Sequence, residues 1–154
     1  ITYVFQREFR MSISILTTYY PLIASITAML VSQSIKLLLM ALSKKPIYLA
    51  ALSRSGGMPS SHSALITSIT LCMGLKEGFD SNYFFISVIL SFIVIYDARG
   101  IRHTVGQHAK LLNTVNKSNT KKLNESVGHT LPEIIVGICL GAIISFGMYH
   151  LINI

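Results

Sequence analysis

Four apolar runs divide this chain, and together they dictate where it can fold. They cover Ile15 to Leu39, Ser63 to Leu75, Tyr83 to Tyr96 and Pro132 to Ile152. About 20 apolar residues cross the roughly 30 Å hydrocarbon core of a bilayer, so the short second and third runs either extend into their flanking motifs or lie at the edge of a thin, wet cavity. Only 12% of the residues are charged and the mean hydropathy is +0.58, which excludes a water-soluble domain of this size. We therefore predict an all-α fold, a polytopic transmembrane helical bundle of about four spans that forms a single membrane domain over residues 1–154.

The formal net charge of +7 is concentrated in two loops. The positive-inside rule predicts that both loops are cytoplasmic and that both termini lie on the opposite side. A phosphate site would attract the same residues to whichever side it faced, so the charge has two explanations. The basic residues lie between spans one and two (Lys44, Lys45, Arg54) and between spans three and four (Arg99, Arg102, Lys110, Lys117, Lys121, Lys122).

The first ten residues conflict with this topology. Arg7 and Arg10 precede Met11 and place positive charge on the side that the rest of the chain predicts to be outside. We expect residues 1–10 to be an optional or artefactual extension, with Met11 as the true start. We do not expect them to be a cleaved signal peptide, because no small-residue cleavage site follows a separate short apolar core.

The segment from Ser55 to Ser63 reads SGGMPSSHS and leads into an apolar helix. Two glycines permit a tight turn and close approach of the backbone to a ligand, and Pro59 suits the first turn of a helix. Free amides at such a helix end favour an anion, and His62 would lie beside a bound phosphate. The alternative is an ordinary polar loop with a serine N-cap.

Two charged features outside that segment also have two interpretations. Lys36 lies near the end of the first span, three residues after Gln33, and either snorkels to the surface or points into the bundle as a phosphate ligand. The third span continues without a break into a basic helix that projects from the membrane, with Asp97 and Arg102 near its base. That helix is either part of a phosphate site or a solvated face with local ion pairs.

Gly128 to Glu133, which reads GHTLPE, precedes the last span. Thr130 and Glu133 have the spacing of a capping box, which gives the carboxylate a complete structural explanation. His129 has none, and a carboxylate four residues later can fix its tautomer and raise its basicity, as a nucleophilic imidazole requires. Both roles hold only if the carboxylate is shared. Further along, Gly137 and Gly141 form a GxxxG pattern that permits close helix packing, within one bundle or between copies.

Several of these motifs, in this order, resemble the divergent branch of the type 2 phosphatidic acid phosphatase superfamily, which is related to acid phosphatases and vanadium-dependent haloperoxidases. The resemblance extends over nearly everything from Gln33 to Gly141. It is carried by Ser55 to Ser63, Gly74 to Asp80, Tyr96 to Arg102, Leu112-Asn113 and Gly128 to Glu133. It implies a helical-bundle phosphatase that uses two histidines and a cluster of basic residues, with no metal and no cofactor.

The resemblance also implies roles for individual residues. Ser60, Ser61 and the backbone at Gly57 would hold phosphate, although Ser61 replaces the usual glycine. His62 would protonate the leaving group, and His129 would be the nucleophile that forms a phosphohistidine. Glu133 stands where an orienting aspartate is usual. The basic cage departs from the superfamily pattern. Its lysine-arginine-proline motif is matched only loosely, by Lys36 or by Lys44-Lys45-Pro46. Its usual arginine would be replaced by Lys121 or Lys122, or by Arg102 beside Asp97.

We therefore expect a membrane phosphatase that hydrolyses a lipid phosphate monoester or diphosphate, with the membrane and not a nucleic acid as its partner. Halide oxidation with vanadate is not indicated. The alternatives are a non-catalytic protein that binds anionic lipid headgroups or serves as a regulatory scaffold, and a transporter of a phosphorylated molecule, for which four spans per chain would require a homo-oligomer. His103 and His108 remain other candidates for the nucleophile.

Overall fold

The computed structural model describes residues 2–43, 56–115 and 122–153, with side chains described from Leu16 to Ile152. Lys44-Lys45-Pro46, Arg54, Ser55 and residues 116–121 lie outside the described residues. The described chain folds into five helices, which confirms the all-α prediction: α1 Thr2–Leu42, α2 Ser61–Glu77, α3 Asn82–Arg99, α4 Ile101–Val115 and α5 Leu131–Asn153.

Three helical segments in the described part of the chain are long and apolar enough to cross a membrane: Leu16–Leu42, Asn82–Val115 and Leu131–Ile152. They contain the first, third and last predicted spans. The second predicted span corresponds to α2, whose 17 residues extend about 25 Å and fall short of the usual bilayer requirement. The chain is thus a helical membrane bundle in which the shortest of the four apolar helices is also the most enclosed.

Helix α2 is the central helix and contacts α1, α3 and α5. Its buried face carries serines and small residues, so neighbouring helices meet it through hydroxyl hydrogen bonds. Ser145 of α5 donates to Ser68 Oγ over 2.9 Å, and the hydroxyls of Thr70 and Ser91 lie 2.7 Å apart between α2 and α3. Such bonds satisfy polar groups that lipid could not, and they fix how the helices align.

The GxxxG pattern of α5 packs within the bundle. A Cβ atom at Gly137 would collide with the backbone oxygen of Ser60, and one at Gly141 would collide with the backbone oxygen of Ala64. Glycine at both positions therefore brings α5 directly against the N-terminal half of α2. As a consequence, the residues just before α2 and just before α5 are neighbours.

The third span does not continue unbroken into the basic helix. Gly100 has φ −84° and ψ −94°, which is not helical, and its amide donates to Tyr96 O over 2.7 Å. Helix α3 therefore ends at Arg99 and α4 begins at Ile101 as a separate element. The expectation of one continuous helix was wrong here because a glycine lies where the last turn of α3 is capped.

Candidate active site

Four helix ends converge at one end of the bundle. Antiparallel α1 and α2 bring the C-terminal part of α1 to the N-terminus of α2, where Ser32 Oγ donates to Pro59 O over 3.2 Å. Ser60 N donates to Glu133 O over 3.0 Å and so joins the start of α2 to the start of α5. His129 N donates to Ala98 O over 3.0 Å, which brings in the end of α3.

The N-terminus of α2 is capped by serine. Ser60 Oγ accepts from the amide of Ser63 over 3.3 Å and from its hydroxyl over 3.0 Å, and Ser60 is fully buried. This confirms the serine N-cap, whereas Pro59 precedes the cap and is not in the first helical turn as predicted. Ser60 therefore has a structural role, and its contact with phosphate stays a prediction.

Gly57 and Gly128 have backbone conformations that only glycine adopts readily. Gly57 has φ +99°, and a Cβ there would lie 3.6 Å from Cε of Lys36. Gly128 has φ +82°, and a Cβ there would collide with the backbone of His103. The first glycine places the loop before α2 against Lys36, and the second lets the loop before α5 press against α4.

His129 is 1% exposed, and its Nδ1 lies 3.1 Å from Glu133 Oε2. The same carboxylate oxygen accepts from Thr130 N over 3.1 Å. The predicted sharing of the carboxylate is therefore present: Glu133 provides the backward bond of a capping box and contacts the histidine at once. Because the carboxylate accepts a hydrogen bond from Nδ1–H, the lone pair of the neutral imidazole lies on Nε2.

The charge state of His129 follows from its surroundings. Burial lowers the pKa of the His129 imidazole below its ordinary value, and the charges of Lys36 and His62 act in the same direction. The hydrogen bond and charge of Glu133 oppose this shift. At neutral pH the ring is therefore neutral and Nε2 has a free lone pair, as a nucleophile needs.

His62 lies in the first turn of α2, beside His129. The centroids of the two rings are 6.4 Å apart and the rings are inclined at 60°. His62 is exposed where His129 is buried; desolvation and the charges of Arg102 and Lys36 lower its pKa below the ordinary value, and the charge of Asp97 opposes them. One imidazole of the pair is thus enclosed and held by a carboxylate, while the other faces the opening of the site.

Three buried polar atoms at this end have no hydrogen-bond partner among the described residues: Lys36 Nζ, Gln33 Oε1 and His129 Nε2. Lys36 is 5% exposed, so it does not snorkel to the surface. Buried polar groups are normally satisfied, and an unpaired buried ammonium is especially costly. A ligand that carries negative oxygens would satisfy the lysine, and its position beside Glu133 and Gly57 places it in the same cluster as His129.

Gln33 is the residue of this cluster that the sequence interpretation did not assign to the site. Its Nε2 donates to Ser61 Oγ over 3.3 Å, which connects α1 to the first residue of α2, and Ser61 itself is buried. The available signal was its spacing of three residues from Lys36, which puts both side chains on one face of α1. Ser61 is thus the predicted hydroxyl that contacts a polar side chain of α1.

The remaining predicted phosphate ligands differ in their placement. Arg102 Nε and Asp97 Oδ2 form an ion pair at 2.5 Å beside His62, with both side chains partly exposed. This local ion pair is what the solvated-face interpretation expected, yet it leaves the terminal nitrogens of the guanidinium available. Lys122 is exposed, and within the described residues the structure gives it no contact with either histidine. Its role as a phosphate ligand stays a prediction.

Fold and site together define a polytopic helical membrane protein with a buried lysine and a histidine pair at one end of its bundle. The chain belongs to the divergent PAP2 family, whose family model matches residues 17–144. It is also similar to the uncharacterized membrane protein YuiD of Bacillus subtilis, with 30% identity over 148 residues that cover 84% of this chain and 94% of that protein. No solved structure matches significantly. The resemblance predicted from the motifs is thereby confirmed.

Proposed function

We propose that this protein is a membrane phosphatase that hydrolyses a lipid phosphate monoester or diphosphate through His129 and His62, without a metal. The observation that carries the proposal is the group of buried polar atoms that have no hydrogen-bond partner among the described residues. Two of them are Lys36 Nζ, which supplies a positive charge, and His129 Nε2, which supplies a lone pair. Membership of the divergent PAP2 family supports the same chemistry. Phosphoryl transfer needs charge neutralisation, an in-line nucleophile and an acid, and the site has a candidate for each.

The proposed reaction has two steps. His129 Nε2 attacks phosphorus, the bond to the leaving oxygen breaks, and protonated His62 donates its proton to that oxygen. Water then attacks the phosphohistidine, His62 takes the proton from the water, and the P–N bond breaks to release phosphate and the original His129. The two ring centroids lie 6.4 Å apart, which is close enough for both imidazoles to contact one phosphoryl group.

The other residues hold the phosphoryl group or the nucleophile. Lys36, the Ser61 hydroxyl and the free nitrogens of Arg102 contact phosphoryl oxygens, and Glu133 keeps the proton of His129 on Nδ1. A lipid substrate fits because the cluster lies at an end of a membrane bundle, where a headgroup can enter from the bilayer surface. We place this end on the cytoplasmic side, on the basis of its positive charge.

Phosphate release from a panel of lipid phosphates in micelles tests the proposal. Wild-type protein is compared with His62→Ala and His129→Ala, and His150→Ala is the matched control because His150 is an exposed histidine near the C-terminus of α5. We expect turnover that persists in chelator, is lost in both site variants by at least about 100-fold, and is unchanged in the control.

The same preparation separates the enzyme from the binding protein. A labelled phosphohistidine that forms in wild type and is absent from His129→Ala supports the nucleophile assignment. Equal turnover in His129→Ala would disprove the mechanism. Absence of turnover together with saturable headgroup binding that depends on Lys36 would favour the alternative, a non-catalytic headgroup-binding protein.

A further inference from the structure

Helix α4 has an apolar stripe that the described residues leave uncovered. Ile101, Val105, Leu112 and Val115 recur at helical spacing on one side of the helix and are 48% to 79% exposed, and His108 is the polar residue that interrupts them. A helix surrounded by water gains nothing from exposing such a stripe, because each large apolar side chain is stabilised by removal from water. Some apolar surface therefore covers it.

A different face of α4 is already occupied by the loop that leads to His129. Gly106 is buried there, and a Cβ at this position would collide with the backbone oxygens of Val127 and Glu125. Asn113 donates to Leu123 O over 3.0 Å and accepts from Leu123 N over 2.9 Å. The rotation of α4 about its axis is thereby fixed, so the direction of the apolar stripe is determined by the fold.

The position of α4 is fixed by the span that precedes it. Helix α3 belongs to a membrane-crossing segment and ends at Arg99, and only Gly100 separates it from α4. The non-helical backbone of Gly100 allows the chain to change direction at this point. The start of α4 is thus held at the membrane surface, where a helix with one apolar side can lie in the plane of the interface.

The charge around α4 indicates which surface it meets. Between Asp97 and Glu125 the chain has no acidic residue and six basic ones: Arg99, Arg102, Lys110, Lys117, Lys121 and Lys122. A basic segment beside an amphipathic helix is attracted to anionic lipid headgroups. The same charge opposes contact with a second copy, since two identical basic segments would repel each other.

We propose that α4 docks in the headgroup region of an anionic leaflet, with its apolar stripe inserted at the boundary of the acyl chains. This interaction is separate from catalysis and does not depend on the proposed phosphatase activity. Because α4 also supports the loop before His129, the docked helix connects the membrane surface to the wall of the candidate site.

The absence of tryptophan from the sequence makes a direct test possible. Leu112→Trp places one fluorophore on the stripe, and the matched control Thr114→Trp places one two residues away on the opposite side of α4, where the side chain is also exposed. Both full-length variants are reconstituted in phosphatidylcholine vesicles with and without phosphatidylglycerol, after circular dichroism confirms helix content. Val105→Trp is a second stripe variant in case Leu112→Trp does not fold.

With phosphatidylglycerol present, we expect Leu112→Trp emission at shorter wavelength than that of Thr114→Trp. Lipids brominated on their acyl chains should quench it, and aqueous acrylamide should not, whereas Thr114→Trp shows the reverse. Acrylamide access to both positions would overturn the proposal, because α4 would then project into water. Shielding of Leu112→Trp without quenching by brominated lipid would also overturn it, since protein would then cover the stripe. Equal lipid quenching without phosphatidylglycerol would overturn the anionic preference.

Discussion

Replacing Lys36 with methionine should raise stability and lower phosphate affinity in the same protein. The lysine is 5% exposed and its Nζ has no hydrogen-bond partner within the described ranges. Burying an ion costs several kcal/mol even after relaxation, and a packed apolar side chain of similar volume in its place is often stabilising by about 1 to 4 kcal/mol. Since the charge of Glu133 offsets part of the cost, we expect a gain near the lower end of that range.

The effect on phosphate has the opposite sign. A hydrogen bond that involves a charged group contributes roughly 1.5 to 3 kcal/mol, and its loss corresponds to roughly 10- to 100-fold weaker binding. A residue whose only role is structural would not produce this pair of changes. A gain in stability together with a loss of affinity would identify Lys36 as a ligand that the fold keeps at an energetic cost.

Thermal unfolding in detergent, followed by helical circular dichroism with and without inorganic phosphate, measures both quantities. Ligand binding stabilises the folded state by RT ln(1 + [L]/Kd), so wild type should gain stability with phosphate and Lys36→Met should gain little. Lys76→Met is the control, because Lys76 is partly exposed, pairs with Glu77 at 3.2 Å and lies at the other end of α2. We expect it to change stability by no more than about 0.5 kcal/mol and to keep the phosphate response. A destabilised Lys36→Met, or one that responds to phosphate as wild type does, would refute the reasoning.

Two further predictions concern the pH dependence of the site and the packing that builds it. Burial holds the pKa of His129 below its ordinary value, and Glu133 opposes this shift, so Glu133→Gln should lower that pKa further. The acid limb of the kcat/KM profile should then move to lower pH, and the plateau activity should fall by about 100-fold or more. An acid limb that stays in place or moves to higher pH would contradict the assignment. Gly141→Leu should destabilise by about 3 kcal/mol or more because its side chain would enter the backbone of Ala64, whereas Gly147→Leu, with nothing within 4 Å, should be close to neutral in the same unfolding assay; equal losses would show that α5 does not pack as described.

The helices were the predictable part of this fold, because apolar runs of bilayer length leave the backbone few alternatives. Two helices differ from the prediction, and in both cases the outcome depends on contacts that the local sequence does not show. Gly100 ends α3 although the residues on both sides favour helix. The capping bond from its amide to Tyr96 O marks this end in the structure, and the sequence alone did not predict it. Helix α2 is enclosed although it is the shortest apolar helix, because its serine and threonine hydroxyls form hydrogen bonds with α1, α3 and α5.

The candidate site was predictable in its residues and not in its arrangement. The histidines were assigned through resemblance, and nothing local in the sequence states that positions 62 and 129 have neighbouring rings. Lys36 had two interpretations because snorkelling depends on whether a neighbouring helix closes over the side chain, which is a property of α2 and α5. Gln33 was not assigned to the site because an amide near a helix end has no distinctive pattern until Ser61 is placed opposite it.

Glu133 shows why one side chain can have a structural and a catalytic explanation at once. Its Oε2 accepts from the amide of Thr130, at the N-cap position of α5, and from His129 Nδ1, each at 3.1 Å. The hydrogen bond from the Thr130 amide already restricts the Glu133 carboxylate, so the carboxylate loses little further conformational freedom when it orients the His129 ring. The cap therefore lowers the entropic cost of orienting the imidazole. A capping box beside an otherwise unexplained histidine is therefore compatible with a catalytic pair, because the cap supplies the rigidity that the pair requires.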